Sequence, residues 1–311
     1  MINRRNFLMQ GAALAAGGCV GAFEGAGCGS VYKGIPIGAI TYSYWRMPMG
    51  RFKTFEYVKG SGIGGIELMG TDLEIEAGAP MNKQWRKMSE EERAAVVKWR
   101  RAADVNAFAA VREKYEASGI KTHIVKFGNL GSSLRQSDEE LDYCFKAAKA
   151  MGAKAITREI PNPEKIADWE PVARRVAKFA EKYDIAVAFH NHLQINATTY
   201  DGPLLDWSPK FMINFDIGHY VAANDDDPLA FVKKYHDRIC SVHLKDRTST
   251  AKGRKNLPFG KGDTPLKGFF ALMLKEGWTF PCDIELEYNI PAGSDCVREV
   301  GICREYCRKN I

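Results

Sequence analysis

The chain has 311 residues, 45% of them hydrophobic and 26% charged, with a formal net charge of +6. That length is too great for one small module and suits one barrel of about 250 residues with loops. The densest basic stretch, Lys245 to Lys261, is broken by Asp246, Pro258 and glycines and lacks the interleaved aromatics of a nucleic-acid groove, so no nucleic acid partner is expected.

Arg4-Arg5-Asn6-Phe7-Leu8 precedes a small apolar run from Met9 to Ala22, the layout of a twin-arginine (Tat) export signal. Residues 1–30 are expected to be that signal and a short linker, which makes the protein exported or periplasmic. Cys19 after Ala16-Gly17-Gly18, and Cys28 after Gly25-Ala26-Gly27, each resemble a lipoprotein cleavage site without its usual leucine. A lipid anchor at Cys19 therefore stays open. The chain has no run of eighteen apolar residues of the kind that spans a membrane.

From 31 to 311, short β-rich runs alternate with helical segments, the pattern of stacked βαβ units and a parallel sheet. The predicted strands are Ile35–Tyr42, Gly65–Met69, Lys121–Phe127, Ala155–Glu159, Ala186–His190, Met212–Asp216, Ile239–His243 and Pro281–Glu285. Helices are predicted over Glu90–Ser118, Asp138–Met151, Pro171–Tyr183, Pro228–Tyr235, Leu266–Glu276 and Asp295–Arg308. The helix after strand one is short and that after strand five barely formed. Ser118-Gly119, Met151-Gly152 and Glu276-Gly277 place glycine where helices end. Gly70 to Lys87 reads as a long irregular loop covering the barrel mouth. Eight such repeats predict closure into a single α/β domain, a (β/α)8 TIM barrel. An oxidising compartment permits a disulfide among the cysteines at 144, 240, 282, 296, 303 and 307, but spacing does not pair them.

His190, His192, His219 and His243 fall at or just past the predicted ends of strands five, six and seven, with His123 inside strand three. Glu67, Glu159, Asp216, Glu285 and Glu287 arrive at the same level. One histidine at a strand end is more often structural than functional. Together these residues crowd the single face where β/α barrels build active sites. Buried carboxylates ringing one mouth repel unless a cation neutralises them, and mixed oxygen and imidazole donors suit one divalent metal ion (Mn, Co, Zn or Mg).

Four motifs lie in order on strands five to eight: His190-Asn191-His192, Asp216-Ile217-Gly218-His219, Val242-His243-Leu244-Lys245-Asp246 and Ile284-Glu285-Leu286-Glu287. Over about residues 35 to 310 the chain resembles the sugar phosphate isomerase/epimerase superfamily, the xylose isomerase-like barrels, near the inosose dehydratase and keto-sugar lyase branch. That resemblance implies a metal held by a glutamate ending strand five, an aspartate ending strand six, a histidine on strand seven and a glutamate on strand eight. Asp216, His243 and Glu285 carry over. His190 stands where the strand-five glutamate belongs, so the fourth ligand is either Glu159, one strand earlier, or His190 itself. The reading adopted is Glu159, with His190 freed as an acid/base; Glu287 shares the inward parity of Glu285 and keeps the strand-eight choice open.

A metal that chelates a carbonyl oxygen and its neighbouring hydroxyl acidifies the intervening C–H and stabilises the enediolate. His190, His219 and Lys245 are the candidate bases, and Glu67, Arg158, Asn191, His192 and Glu287 the candidates to bind hydroxyls. Returning the proton gives an epimer or isomer; donating it to a leaving group gives elimination. The expected activity is a metal-dependent sugar isomerase or epimerase, with a lyase or dehydratase acting on 3-keto sugars as the runner-up. A secreted carbohydrate-binding barrel without catalysis is a rival, and an apurinic endonuclease a weaker one. The sequence carries no glycine-rich phosphate cradle after strands seven and eight, so the partner is a neutral sugar or polyol. A homodimer stays open.

Overall fold

The alternation of inward and outward side chains along each strand organises the molecule. Ile35, Ile37 and Ala39 of the first strand join a large apolar core under the helices. Gly38 between them faces the barrel interior, where a Cβ would collide with the Asp283 carboxylate and the Gly65 carbonyl. The computed structural model describes residues 29–311. The export signal, Cys19 and Cys28 lie outside the described residues.

The barrel strands are β1 Ile35–Ile40, β2 Gly65–Met69, β3 Lys121–Lys126, β4 Ala155–Glu159, β5 Ala186–His190, β6 Phe211–Asp216, β7 Ile239–Leu244 and β8 Cys282–Ile284. Each pairs in parallel with the next, and β8 also pairs with β1, which closes the ring. This is the single (β/α)8 barrel expected from eight repeats. Its lower interior is apolar, filled by Ile124, Ala155, Ala188, Met212 and Cys240.

Some helices differ from expectation. The long helix over Glu90–Ser118 is two, Glu90–Ala102 and Val105–Glu116, because Ala103 is extended and the Asp104 side chain caps the second by accepting from Asn106 N–H. The helix before β5 runs Ile166–Tyr183, with Pro171 inside it rather than at its start. Gly70–Glu76 is α-helical, not loop, and buries Glu74 and Glu76. Beyond it Ile75, Met81, Met88 and Val96 form a small satellite core. After β5 only two 3-10 turns appear, Thr199–Asp201 and Pro203–Leu205.

The six cysteines from Cys144 to Cys307 are buried thiols that form no disulfide among the described residues. At the floor of the barrel, Gly64 N–H donates to Ser30 Oγ (2.9 Å) and Lys33 Nζ to the Ile311 carbonyl (2.7 Å), so both ends of the described chain meet there. Among the described residues no helix is long and apolar enough to cross a membrane.

Candidate active site

Strand parity puts Glu67, Thr157, Asn214 and Ser241 in a polar tier below the mouth. Thr157 Oγ1 donates to Glu67 Oε1 (2.5 Å), while Asn214 Nδ2 donates to Glu67 Oε2 (3.2 Å) and Ser241 Oγ (2.6 Å). His243 lies between two carboxylates, with Nε2 2.8 Å from Glu67 Oε2 and Nδ1 3.1 Å from Glu285 Oε2. Burial alone would favour its neutral ring, but Glu67 and Glu285 raise its pKa to about 10. Burial likewise pushes Glu67 up, and the His243 charge overrides it to hold the carboxyl below its usual range.

Lys245 Nζ occupies the centre of the mouth, 2.8 Å from Glu287 Oε2, 3.0 Å from Glu285 Oε2, 3.2 Å from Asp216 Oδ2 and 2.8 Å from His219 Nε2. Burial opposes its charge, and the three carboxylates outweigh burial, so it is held as an ammonium. Burial, then the Lys245 charge, drives the His219 pKa far down and keeps that ring neutral. Arg247 Nη1 lies 2.5 Å from His219 Nδ1. A neutral imidazole accepts at only one nitrogen, so His219 accepts from Lys245 or Arg247 but not both. Burial lifts the Asp216 carboxyl to about 7 against the pull of Lys245.

The donor set tests whether a metal fits. Because Asn214 Nδ2 is spent on Glu67 and Ser241, its Oδ1 faces His190 Nδ1 (2.6 Å), which must carry the proton. The lone pair of His190 is then on Nε2, which is buried without a hydrogen-bond partner. Asp216 Oδ1 accepts from His219 N–H (2.6 Å), capping the helix Ile217–Ala223, while the buried Oδ2 is ion-paired with Lys245 Nζ at 3.2 Å. Ligand atoms of His190, Asp216, His219 and Glu285 lie within 4.8 Å of one another, as do those of His190, His192 and His219. The free imidazole nitrogen of His190 and the two carboxylates fit a divalent ion of the Mn, Co or Zn type, which would take the place that Lys245 Nζ now holds beside Asp216 and Glu285.

Of the set expected from resemblance, Asp216 and Glu285 converge and His243 touches Glu285, but Glu159 is held by Lys126 Nζ at 3.0 Å and lies 3.7 Å from His192 Nε2. The expected carboxylate repulsion is offset in part by Lys126, Lys245, Arg247 and the His243 imidazolium. Arg158 is turned away from the interior: strand alternation sends it outward, 4.3 Å over the Trp169 ring and hydrogen-bonded to the Gly131 carbonyl (3.1 Å). Asn191 ties β5 to β6 through the Asp216 N–H (2.9 Å) and carbonyl (3.2 Å), and Glu67 lies under His243. His192, its side chain 52% exposed, and Glu287 remain at the rim. Asn214 and Arg247 share the inward parity of Asp216 and Lys245 and so have a signal in the sequence, whereas Lys126 lies on a strand that offers no chosen site residue to set its parity.

The model of the xylose isomerase-like TIM barrel family matches residues 55–300. An inosose dehydratase of Bacillus anthracis is 33% identical over 86 residues, 25% of this chain and 28% of that protein. One from Clostridium tetani is 26% identical over 136 residues, 36% of this chain and 45% of that protein. The chain thus matches under half the length of these curated relatives. Among solved structures, a probable 3-DHS dehydratase from Bacillus anthracis superposes with a TM-score of 0.65 at 12% identity, covering 87% of this chain and 98% of that one. A D-allulose 3-epimerase from Methylomonas sp. gives 0.61 at 15% identity, covering 89% and 98%. At those identities the likeness is one of fold.

Proposed function

Since the chain belongs to the xylose isomerase-like TIM barrel family, we propose that it is a metal-dependent sugar isomerase or epimerase that moves a proton on the carbon beside a carbonyl. The observation that carries this reading is His190 Nε2, buried without a hydrogen-bond partner and within 4.8 Å of ligand atoms of Asp216, His219 and Glu285. A divalent ion held by His190, Asp216 and Glu285 would polarise the substrate carbonyl and acidify the neighbouring C–H. Glu159 could join that set only by leaving Lys126.

Lys245 and His219, 2.8 Å apart, have opposite proton demands. The neutral imidazole takes the substrate proton once Lys245 turns towards the substrate, and the ammonium gives one back. Glu67, locked to Thr157, Asn214 and His243, acts from below by fixing the His243 ring. His192 and Glu287 at the rim hold substrate hydroxyls. The export layout of residues 1–30 supports a neutral sugar met outside the cytoplasm.

A panel of oxidised and unoxidised sugars and glucosides, incubated in deuterated water with Mn or Co and read by NMR, tests this reading. The expected result is metal-dependent deuterium at the carbon next to the carbonyl. No exchange with any member, together with no stoichiometric bound metal, would falsify it and favour a carbohydrate-binding barrel. A second reading, elimination from a 3-keto sugar, is supported by the sequence matches to inosose dehydratases. In that case Lys245, hydrogen-bonded to Glu287, protonates the leaving hydroxyl, and the same NMR spectrum shows an alkene in place of an epimer.

A further inference from the structure

The 3-10 turn Thr41–Tyr44 follows β1 at the mouth and is anchored on two sides. Ser43 Oγ donates to the Ile284 carbonyl (3.0 Å) and accepts from Leu286 N–H (3.0 Å), which seats the turn on the end of β8 beside Glu285 and Glu287. Thr41 Oγ1 donates to Asp72 Oδ2 (2.6 Å) and accepts from Met69 N–H (3.0 Å), which fixes it to the end of β2. Tyr42 is half-buried there; burial first, then Glu287 and Glu285, raise its hydroxyl pKa.

Trp45 closes the turn through its N–H to the Tyr42 carbonyl (2.9 Å), and its indole stacks on Tyr42 with centroids 6.2 Å apart and planes 13° from parallel. The indole is nonetheless 40% exposed, and the exposed Arg46 guanidinium lies 4.8 Å from its centroid. A flat aromatic ring held at the rim of a sugar site matches the apolar C–H face of a pyranose, and the Arg46 guanidinium, which lies over that ring, would give its place to the sugar and donate to the outward hydroxyls.

We propose that Tyr42 and Trp45 form a second sugar subsite, and that the substrate is a glycoside or disaccharide. Its reacting ring lies over Asp216 and Glu285, and its second, non-reacting ring stacks on Trp45. The assignment of the reacting ring rests on the sugar chemistry proposed above, whereas the stacking platform is a separate binding feature. A free monosaccharide bound over the carboxylates leaves the indole to Tyr42 and Arg46 alone.

Calorimetric titration of the full protein with cellobiose and with glucose, neither oxidised, tests the subsite by binding alone. Cellobiose is expected to bind the wild type about tenfold more tightly than glucose, the size of one aromatic stacking contact. Trp45→Ala should abolish that preference and leave glucose affinity unchanged, while Trp45→Phe keeps most of it; melting curves confirm that both variants fold. Equal affinities in the wild type, no binding of either sugar, or a preference that survives Trp45→Ala overturns the proposal. C–H exchange run in parallel separates the two readings. Exchange without a Trp45-dependent preference sinks the subsite alone, and a Trp45-dependent preference without exchange on any keto sugar sinks only the proton-transfer reading.

Discussion

Asn214 links the supporting tier to the mouth, since its nitrogen serves Glu67 and Ser241 while its oxygen orients His190. Asn214→Leu keeps the volume but removes those bonds and releases the His190 ring. Metal affinity, measured by calorimetry, is expected to fall about 10- to 100-fold, the usual cost of losing an outer-shell partner. Unchanged affinity would remove His190 from the ligand set. Histidines and carboxylates were legible because those residue types gathered at strand ends. Asn214 was not, since a neutral amide carries no such signal and only its parity with Asp216 marks it. Arg158 is the converse case: it neighbours Glu159 in sequence, but successive side chains on a strand face opposite ways, which puts it outside the barrel against Trp169.

The helix Gly70–Glu76 carries its own pH dependence. Glu76 accepts from Tyr115 Oη (2.8 Å) and Phe55 N–H (3.1 Å), but its other oxygen is buried without a partner. Burial raises its pKa from 4.5 to about 8, and nearby Asp72 rises to about 6. A carboxyl with a raised folded pKa stabilises the fold below its unfolded value, and that stability is lost as pH climbs through the folded value. Each pH unit in that window costs up to about 1.4 kcal/mol. Melting temperatures of wild type and Glu76→Gln at pH 5 and pH 8 should show a smaller fall for the variant; equal falls would mean that Glu76 is ionised in the folded state. The sequence hides this helix because acidic and apolar residues alternate through Asp72-Leu73-Glu74-Ile75-Glu76, which masks a 3.6-residue period. Its buried acids find partners only across space, as Glu74 does in Arg100 (2.7 Å) and Tyr143 (2.9 Å).

At the scale of the molecule, the count of eight strands was enough to predict a closed ring, because parallel βαβ repeats that curl together leave no edge. The charge balance of the mouth is not readable in the sequence, since Lys126 comes from a strand far from Lys245 and Arg247. Those cations share the carboxylates with any bound ion, so metal binding should stabilise the barrel by ordinary mass action. With Mn or Co at about 100 times its dissociation constant, unfolding in urea should shift by about 2.7 kcal/mol, and a chelator should reverse the shift. No shift would argue against a metal site. The meeting of Ser30, Lys33 and Ile311 on the barrel floor has a practical corollary. A resin, fusion partner or tether joined at either end of the barrel hangs from the face opposite the mouth, so an immobilised protein presents its opening to the solution.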